Sequence, residues 1–296
     1  MTGKQRLIVA ALCAATLAGG AAWADGPRAI ETPASADGAM DGGAAAEVDA
    51  LMDAARLRPL MGVVALEGAR HGIGLEGALF PGRGGDAWAD RVRAIQSPDR
   101  LVVTLEAALA EGLGDAALAS AADFYGGALG AKVAAGEVAA RRAMLDADAE
   151  AEAMVASAGL AAEGGPRAEL TAELIDALDL VTANVSGGLN ANFAFYRGLA
   201  DGGAMTRPMS EREMLAMVWE QEADVREATA RWLDAYLLLA YERLSDGELA
   251  AYVDWAASPE GRKMNAAVFA GFGQVFEETS YALGREAARF MAMTDT

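Results

Sequence analysis

The 296-residue sequence contains one cysteine and one histidine. That scarcity excludes a zinc cage built from Cys and His, a haem-attachment motif and a disulfide framework. Basic residues are also in deficit: 24 Lys and Arg stand against 43 Asp and Glu, a formal charge of -19. A nucleic-acid partner is disfavoured, because phosphate binding needs clustered Lys and Arg, and extended polyanions and anionic lipid surfaces are repelled for the same Coulombic reason. Aromatics make up only 6% and prolines number 8, while 53% of the chain is hydrophobic. Such a composition suits helices buried through Leu, Met, Val and Ala.

The first 24 residues read as a secretory signal. Lys4 and Arg6 form a positive start, Leu7 opens an apolar stretch reaching Ala18, and Ala22 and Ala24 flank a small-x-small cleavage site before Asp25. The apolar stretch is broken at Gly19 and Gly20, short of the roughly 20 residues that a span requires. Cleavage after Ala24 removes Cys13 together with two positive charges and no negative one, so the mature net charge becomes -21 and no thiol is left. The expected location is periplasmic or secreted, with no membrane span in the mature chain. Residues 25–46, rich in Gly, Ala, Pro and Asp, read as a flexible leader that cannot bury enough surface to order itself.

From Glu47 onward the pattern is helical. Ser210 with Glu213 and Ser245 with Glu248 fit the capping box. Ser97 before Pro98 and Ser258 before Pro259 place an N-cap ahead of a proline at the first helical position, and Pro166 starts a further helix. Asp115 reads as the cap of the helix that follows it. Residues 210–244 read as one long helix with Val218, Val225, Trp232 and Leu239 seven apart. A second long helix spans 258–293, with Met264, Val268, Phe272, Phe276, Leu283 and Phe290 along one side.

The chain also repeats itself. Asp115, Leu118, Asp123, Phe124, Gly130 and Lys132 match Asp246, Leu249, Asp254, Trp255, Gly261 and Lys263 at a constant shift of 131, and Trp88 matches Trp219. Upstream, Leu51, Asp53 and Ala54 match Leu174, Asp176 and Ala177 at a shift of 123. The fold class expected is therefore all-α: two tandem helical repeats, residues 47–165 and 166–296, packed as helical hairpins.

In the second copy, Leu244, Ser245, Glu248, Leu249, Trp255, Ser258, Pro259, Gly261 and Lys263 form a pattern that resembles the exported-protein family called domain of unknown function 2059. Ala256 departs from that family's aromatic pair, and Gly127 and Ala128 stand where the first copy would carry Ser-Pro. The resemblance implies an all-helical exported protein without an assigned activity, and brings no catalytic residues. Read from the residues themselves, the pattern is structural. Gly261 in a first turn marks a close approach of neighbouring backbone, and Lys263 lays its stem on the aromatic.

Few residues could carry chemistry. Glu67 and His71, four apart, could share a helix face and do acid–base work; the plainer reading is a histidine at a helix end before Gly72. The glycine-rich stretch from Phe80 to Asp86 could cradle an anion, but it lacks the Gly-Lys-Ser/Thr ending of a phosphate loop, and Asp86 is the expected cap there. Asn184, Ser186 and Asn192 lie in a small polar stretch that suggests a helix interruption or a tight crossing; Ser186 has no nucleophile-elbow context. The acidic runs from Asp146 to Glu152 and from Glu220 to Glu227 read as solvated faces lacking a calcium-loop pattern. No cofactor, metal or catalytic residue is expected. The expected function is that of a non-catalytic envelope protein that binds a partner protein or an apolar ligand in a groove between the repeats, with 13 Met supplying adaptable apolar surface. The alternative is a carboxylate-based hydrolase or lyase that uses Glu67 and His71 or an acidic pair. Homodimerisation through the stripe over 218–239 is a further possibility.

Overall fold

A computed structural model describes residues 42–205 and 209–293, so the expected signal sequence and most of the expected leader lie outside the described residues. Within them every regular element is an α-helix. In chain order these are α1 (Gly42–Ala54), α2 (Leu57–Leu79), α3 (Gly85–Ile95), α4 (Pro98–Gly112), α5 (Asp115–Gly126), α6 (Ala128–Ala143) and α7 (Ala147–Glu163). They continue as α8 (Pro166–Ala177), α9 (Leu180–Asp201), α10 (Glu211–Trp219), α11 (Glu222–Tyr241), α12 (Asp246–Ala256) and α13 (Pro259–Ala292). None of these helices is long and apolar enough to cross a membrane.

Several helix starts follow the sequence signals. Both capping boxes form, at Ser210 with Glu213 and at Ser245 with Glu248. Ser258 Oγ accepts from the Gly261 N–H at 3.1 Å, and prolines occupy the first turns of α4, α8 and α13. Other starts differ. α1 begins at Gly42, inside the stretch expected to be leader, because an alanine run of high helix propensity is followed by Val48, Leu51 and Met52, all buried. Asp115 is the first residue of α5, and Gly114 occupies its cap position. The single helix expected over 210–244 is two helices, broken at Glu220 and Gln221 without a Gly or Pro. The break lets Val218 and Val225 both pack on Val185 and Leu189 of α9. That stripe is not a dimer face, since Val218, Val225 and Trp232 are buried in the chain's own core. Trp88 and Trp219 are not alike either: the first is fully buried and the second 56% exposed.

Packing crosses the midpoint of the chain in both directions. Met264, Val268, Phe272 and Phe276 of α13 lie in one core with α1, α2, α4 and α5. Val133 and Ala140 of α6 lie in another core with α8, α11 and α12. Each of these helices leaves its predecessor through a glycine corner. A Cβ on Gly130 would sit 2.1 Å from the Phe124 carbonyl oxygen, and one on Gly261 would sit 2.2 Å from that of Trp255. Only a residue without a side chain permits so tight a turn of one helix onto the end of another. At the same corners the Phe124 and Trp255 rings stack face to face, 3.9 Å apart and 4° from parallel.

The most extensive helix pair is α9 with α13, and glycine again sets its separation. A Cβ on Gly284 would lie 2.2 Å from the Phe195 carbonyl oxygen, and one on Gly198 would lie 2.2 Å from that of Tyr281. We predict that Gly284→Ala destabilises the protein by roughly 1–3 kcal/mol in urea unfolding, because two backbones must part. Gly74→Ala, where a Cβ meets nothing within 4 Å, should stabilise by up to about 1 kcal/mol through helix propensity.

Candidate functional site

A groove with a volume of about 620 Å³ runs along α2 and ends at the α6–α7 junction. Pro59, Gly62, Val63 and Leu66 supply its α2 side, and Arg142 and Leu145 close the other. Its size falls in the range of small-ligand sites. The groove lies wholly within the first half of the chain. Leu66 is 47% exposed, one of few large apolar side chains so open. Arg70 donates to the Leu145 carbonyl at 3.1 Å. Neither Arg70 nor Arg142 forms an ion pair with a described residue. Asp146, the acid at the rim, is turned to its own helix: its Oδ1 accepts from the Asp148 and Ala149 N–H groups as the cap of α7. Two guanidinium groups without an ion pair, and the Asp146 carboxylate beside them, therefore border an apolar floor.

Beside it on α2, Glu67 and His71 form no hydrogen bond with each other. The Glu67 Oε2 accepts from Arg141 Nε at 3.1 Å and Nη2 at 2.7 Å. Arg141, whose side chain is 1% exposed, also lies over the Trp232 ring at 5.5 Å. His71 lies in the middle of α2, which continues to Leu79, and not at a helix end. Its Nε2 is buried without a partner, and burial holds its pKa below the ordinary value. The Glu67 carboxylate is engaged by a buried guanidinium, and the buried imidazole nitrogen is bonded to no acid.

A buried carboxyl with a large electrostatic perturbation was not foreseen from the sequence. Glu137 of α6 is buried between α11 and α12. Its Oε1 accepts from Tyr241 Oη at 2.9 Å and Tyr252 Oη at 3.4 Å, while its carbonyl accepts from Tyr236 Oη at 3.0 Å. Burial raises the carboxyl pKa to about 7, against the downward pull of the two phenol hydrogen bonds. Burial, with the carboxylate charge adding to it, pushes Tyr236, Tyr241 and Tyr252 well above the phenolic range. Glu137 and Arg141 lie four apart on the stripe of α6 that carries Val133. Charged residues on an apolar stripe are the signal that could have drawn attention to them.

The remaining candidates resolve into structure. In the glycine-rich loop the anion position is filled by Glu76, whose carboxylate accepts from the Gly84 and Gly85 N–H groups at 2.9 and 3.1 Å, and Asp86 makes no cap. α9 runs without interruption through Asn184 and Asn192, and the tight crossing falls later, at Gly198. In the acidic stretch of α11, Glu222 and Glu227 pair with Arg226 and Arg231. No group of His, Cys, Asp and Glu suited to a metal occurs among the described residues. At the corner between α12 and α13, Leu249 is buried, Trp255 Nε1 donates to Ser120 Oγ at 3.3 Å, and Lys263 is exposed. Glu248, bonded by Lys132 and Ser245, has its pKa drawn down to about 2.

No family model, no curated protein and no solved structure matches the chain.

The titration of Glu137 gives a signed expectation. Its folded pKa is raised from 4.5 to about 7, so the stability linked to it is present below the unfolded value and is lost as pH rises through the folded one. Unfolding free energy should fall by roughly 3 kcal/mol between pH 4.5 and pH 7.5 from this group. Glu137→Gln keeps an acceptor for Tyr241 and should remove that component, seen as the difference between parent and variant urea curves across the range.

Proposed function

We propose that this chain is an exported, non-catalytic binding protein built from two copies of one helical unit, with the groove beside α2 as its binding surface. The observation that carries the binding role is the exposed Leu66 between two arginines that form no ion pair with a described residue. The partner or ligand is apolar in the part that meets Leu66 and Val63, and negatively charged where it meets Arg70 and Arg142. The non-catalytic reading is supported by the engagement of Glu67 with Arg141 and by the isolation of His71. Export rests on the signal pattern of residues 1–24. The likeness of the second corner to domain of unknown function 2059 adds no residue role.

Three coincidences support the duplication. The only non-glycine residues at positive φ among those described, Arg56 at 52° and Asp179 at 48°, are 123 apart and each precedes a long helix. The corner glycines Gly130 and Gly261, 131 apart, press against the carbonyls of Phe124 and Trp255, also 131 apart. Those two aromatics stack on each other, an arrangement that a two-fold relation between the copies permits.

A photo-cross-linking residue at Leu66 of the full chain, irradiated in the envelope of the producing cell, should yield a discrete adduct by mass spectrometry. The same residue at Val103, 66% exposed and not part of the groove, should yield none. Equal background labelling at the two positions overturns the binding role.

A further inference from the structure

We infer that the occupant of the groove is an acidic amphipathic helix, seated on α2 as the α10–α11 corner is seated on α9. The inference deepens the binding role proposed above and rests on the duplication.

The template is internal. The α2 row Gly62, Leu66 and Arg70 corresponds, 123 residues on, to Val185, Leu189 and Phe193 of α9. In the second half this row is covered, because Val218 of α10 and Val225 of α11 pack on Val185 and Leu189. In the first half nothing described plays that part. Leu66 is 47% exposed where Leu189, the same residue type, is 3% exposed. A Cβ on Gly62 would meet nothing within 4 Å. At the shift of 131, α3 corresponds to residues 216–226, the α10–α11 corner itself, and it is engaged on a different face of α2. Trp88 Nε1 donates to the Gly72 carbonyl at 3.0 Å, and Val92 lies against Gly72. The first half thus keeps a helix-receiving row whose own helix is committed elsewhere.

Charge sets the chemistry of the occupant. The covering segment in the second half is acidic: residues 211–230 carry Glu211, Glu213, Glu220, Glu222, Asp224 and Glu227 against two arginines. On α2 the position of Phe193 is taken by Arg70, and Arg142 faces it across the groove. A helix with two apolar residues about seven apart and carboxylates beside them fills the apolar row and meets both guanidinium groups, the helix-in-groove mode of recognition. The chain's overall negative charge repels long polyanions, yet these two sites sit at contact distance from a few carboxylates only.

The test uses a fluorescently labelled peptide of residues 211–230 with the full chain, followed by anisotropy. Saturable binding is expected, weakened at least about tenfold by Arg70→Glu combined with Arg142→Glu, and likewise by Leu66→Asp. All three side chains are exposed, and circular dichroism checks that each variant keeps its helices. A peptide carrying Val218→Asp and Val225→Asp should not bind. Absence of saturable binding, or binding indifferent to the groove substitutions, overturns the inference. Laurate serves as the second probe. Laurate bound at the groove without the peptide would overturn the helix and leave the binding role standing, whereas the Leu66 cross-link tests that role independently of either probe.

Discussion

Gly130 and Gly261 let a helix turn back against the carbonyl of an aromatic residue and cross to the opposite side of the molecule. Everything larger follows from that turn. Because α6 leaves its corner towards α11 and α12, the second core is completed by Val133 and Ala140 from the first half. Because α13 leaves its own corner towards α4 and α5, the first core is completed by Met264, Val268 and Phe272 from the second. Each half lends the other a helix, and the stacked pair Phe124 and Trp255 sits where the two paths pass. A bulkier residue at either corner would meet backbone, which cannot rotate out of the way as a side chain can.

The exchange carries polar groups into poor company. Glu137 and Arg141 travel with α6 into the second core, and side chains from several helices meet most of their demand, leaving Arg141 Nη1 without a partner. Three phenols gather on Glu137, while Glu67 and the face of Trp232 take Arg141. Burying such groups opposes folding unless they are bonded, and even then it makes stability depend on the protonation of Glu137. Their placement fixes the register of α6 against α11, since a slip would strand a carboxyl or a guanidinium in apolar surroundings. The groove at the end of α6 is the other consequence: α6 stops at Ala143, so the outer row of α2 is left open at Leu66.

Much of the fold was legible in the sequence because it depends on short-range chemistry. The boxes at Ser210 and Ser245, the Ser-Pro starts and the apolar side of α13 are local, and each formed as written. Apart from the starts of α1 and α5, the misreadings involve partners distant in sequence. A seven-residue spacing from Val218 to Trp232 fits one helix or two, and only α9 decides between them. Asp86 looks like a cap until Glu76, ten residues back on α2, takes the amides of Gly84 and Gly85 first. Trp88 and Trp219 share a register but not a neighbour, because α3 lies on Gly72 while α10 lies on Leu189. The site fared worse than the fold. Glu67 and His71 have the right spacing for a shared helix face, yet Arg141, 74 residues away, claims the acid. Nothing local distinguishes Arg70 and Arg142 from other surface arginines, so the groove they border could only be seen once α2 and α6 were packed.

If the crossing of α6 and α13 is what holds the molecule together, neither half can close a core alone. Separate production of residues 42–165 and 166–293, followed by circular dichroism and sedimentation of each and of their equimolar mixture, tests this directly. The account predicts that each fragment alone lacks a cooperative unfolding transition, and that mixing restores one together with a one-to-one complex. A fragment that unfolds cooperatively by itself, with its helical signal unchanged on adding the other, would contradict it.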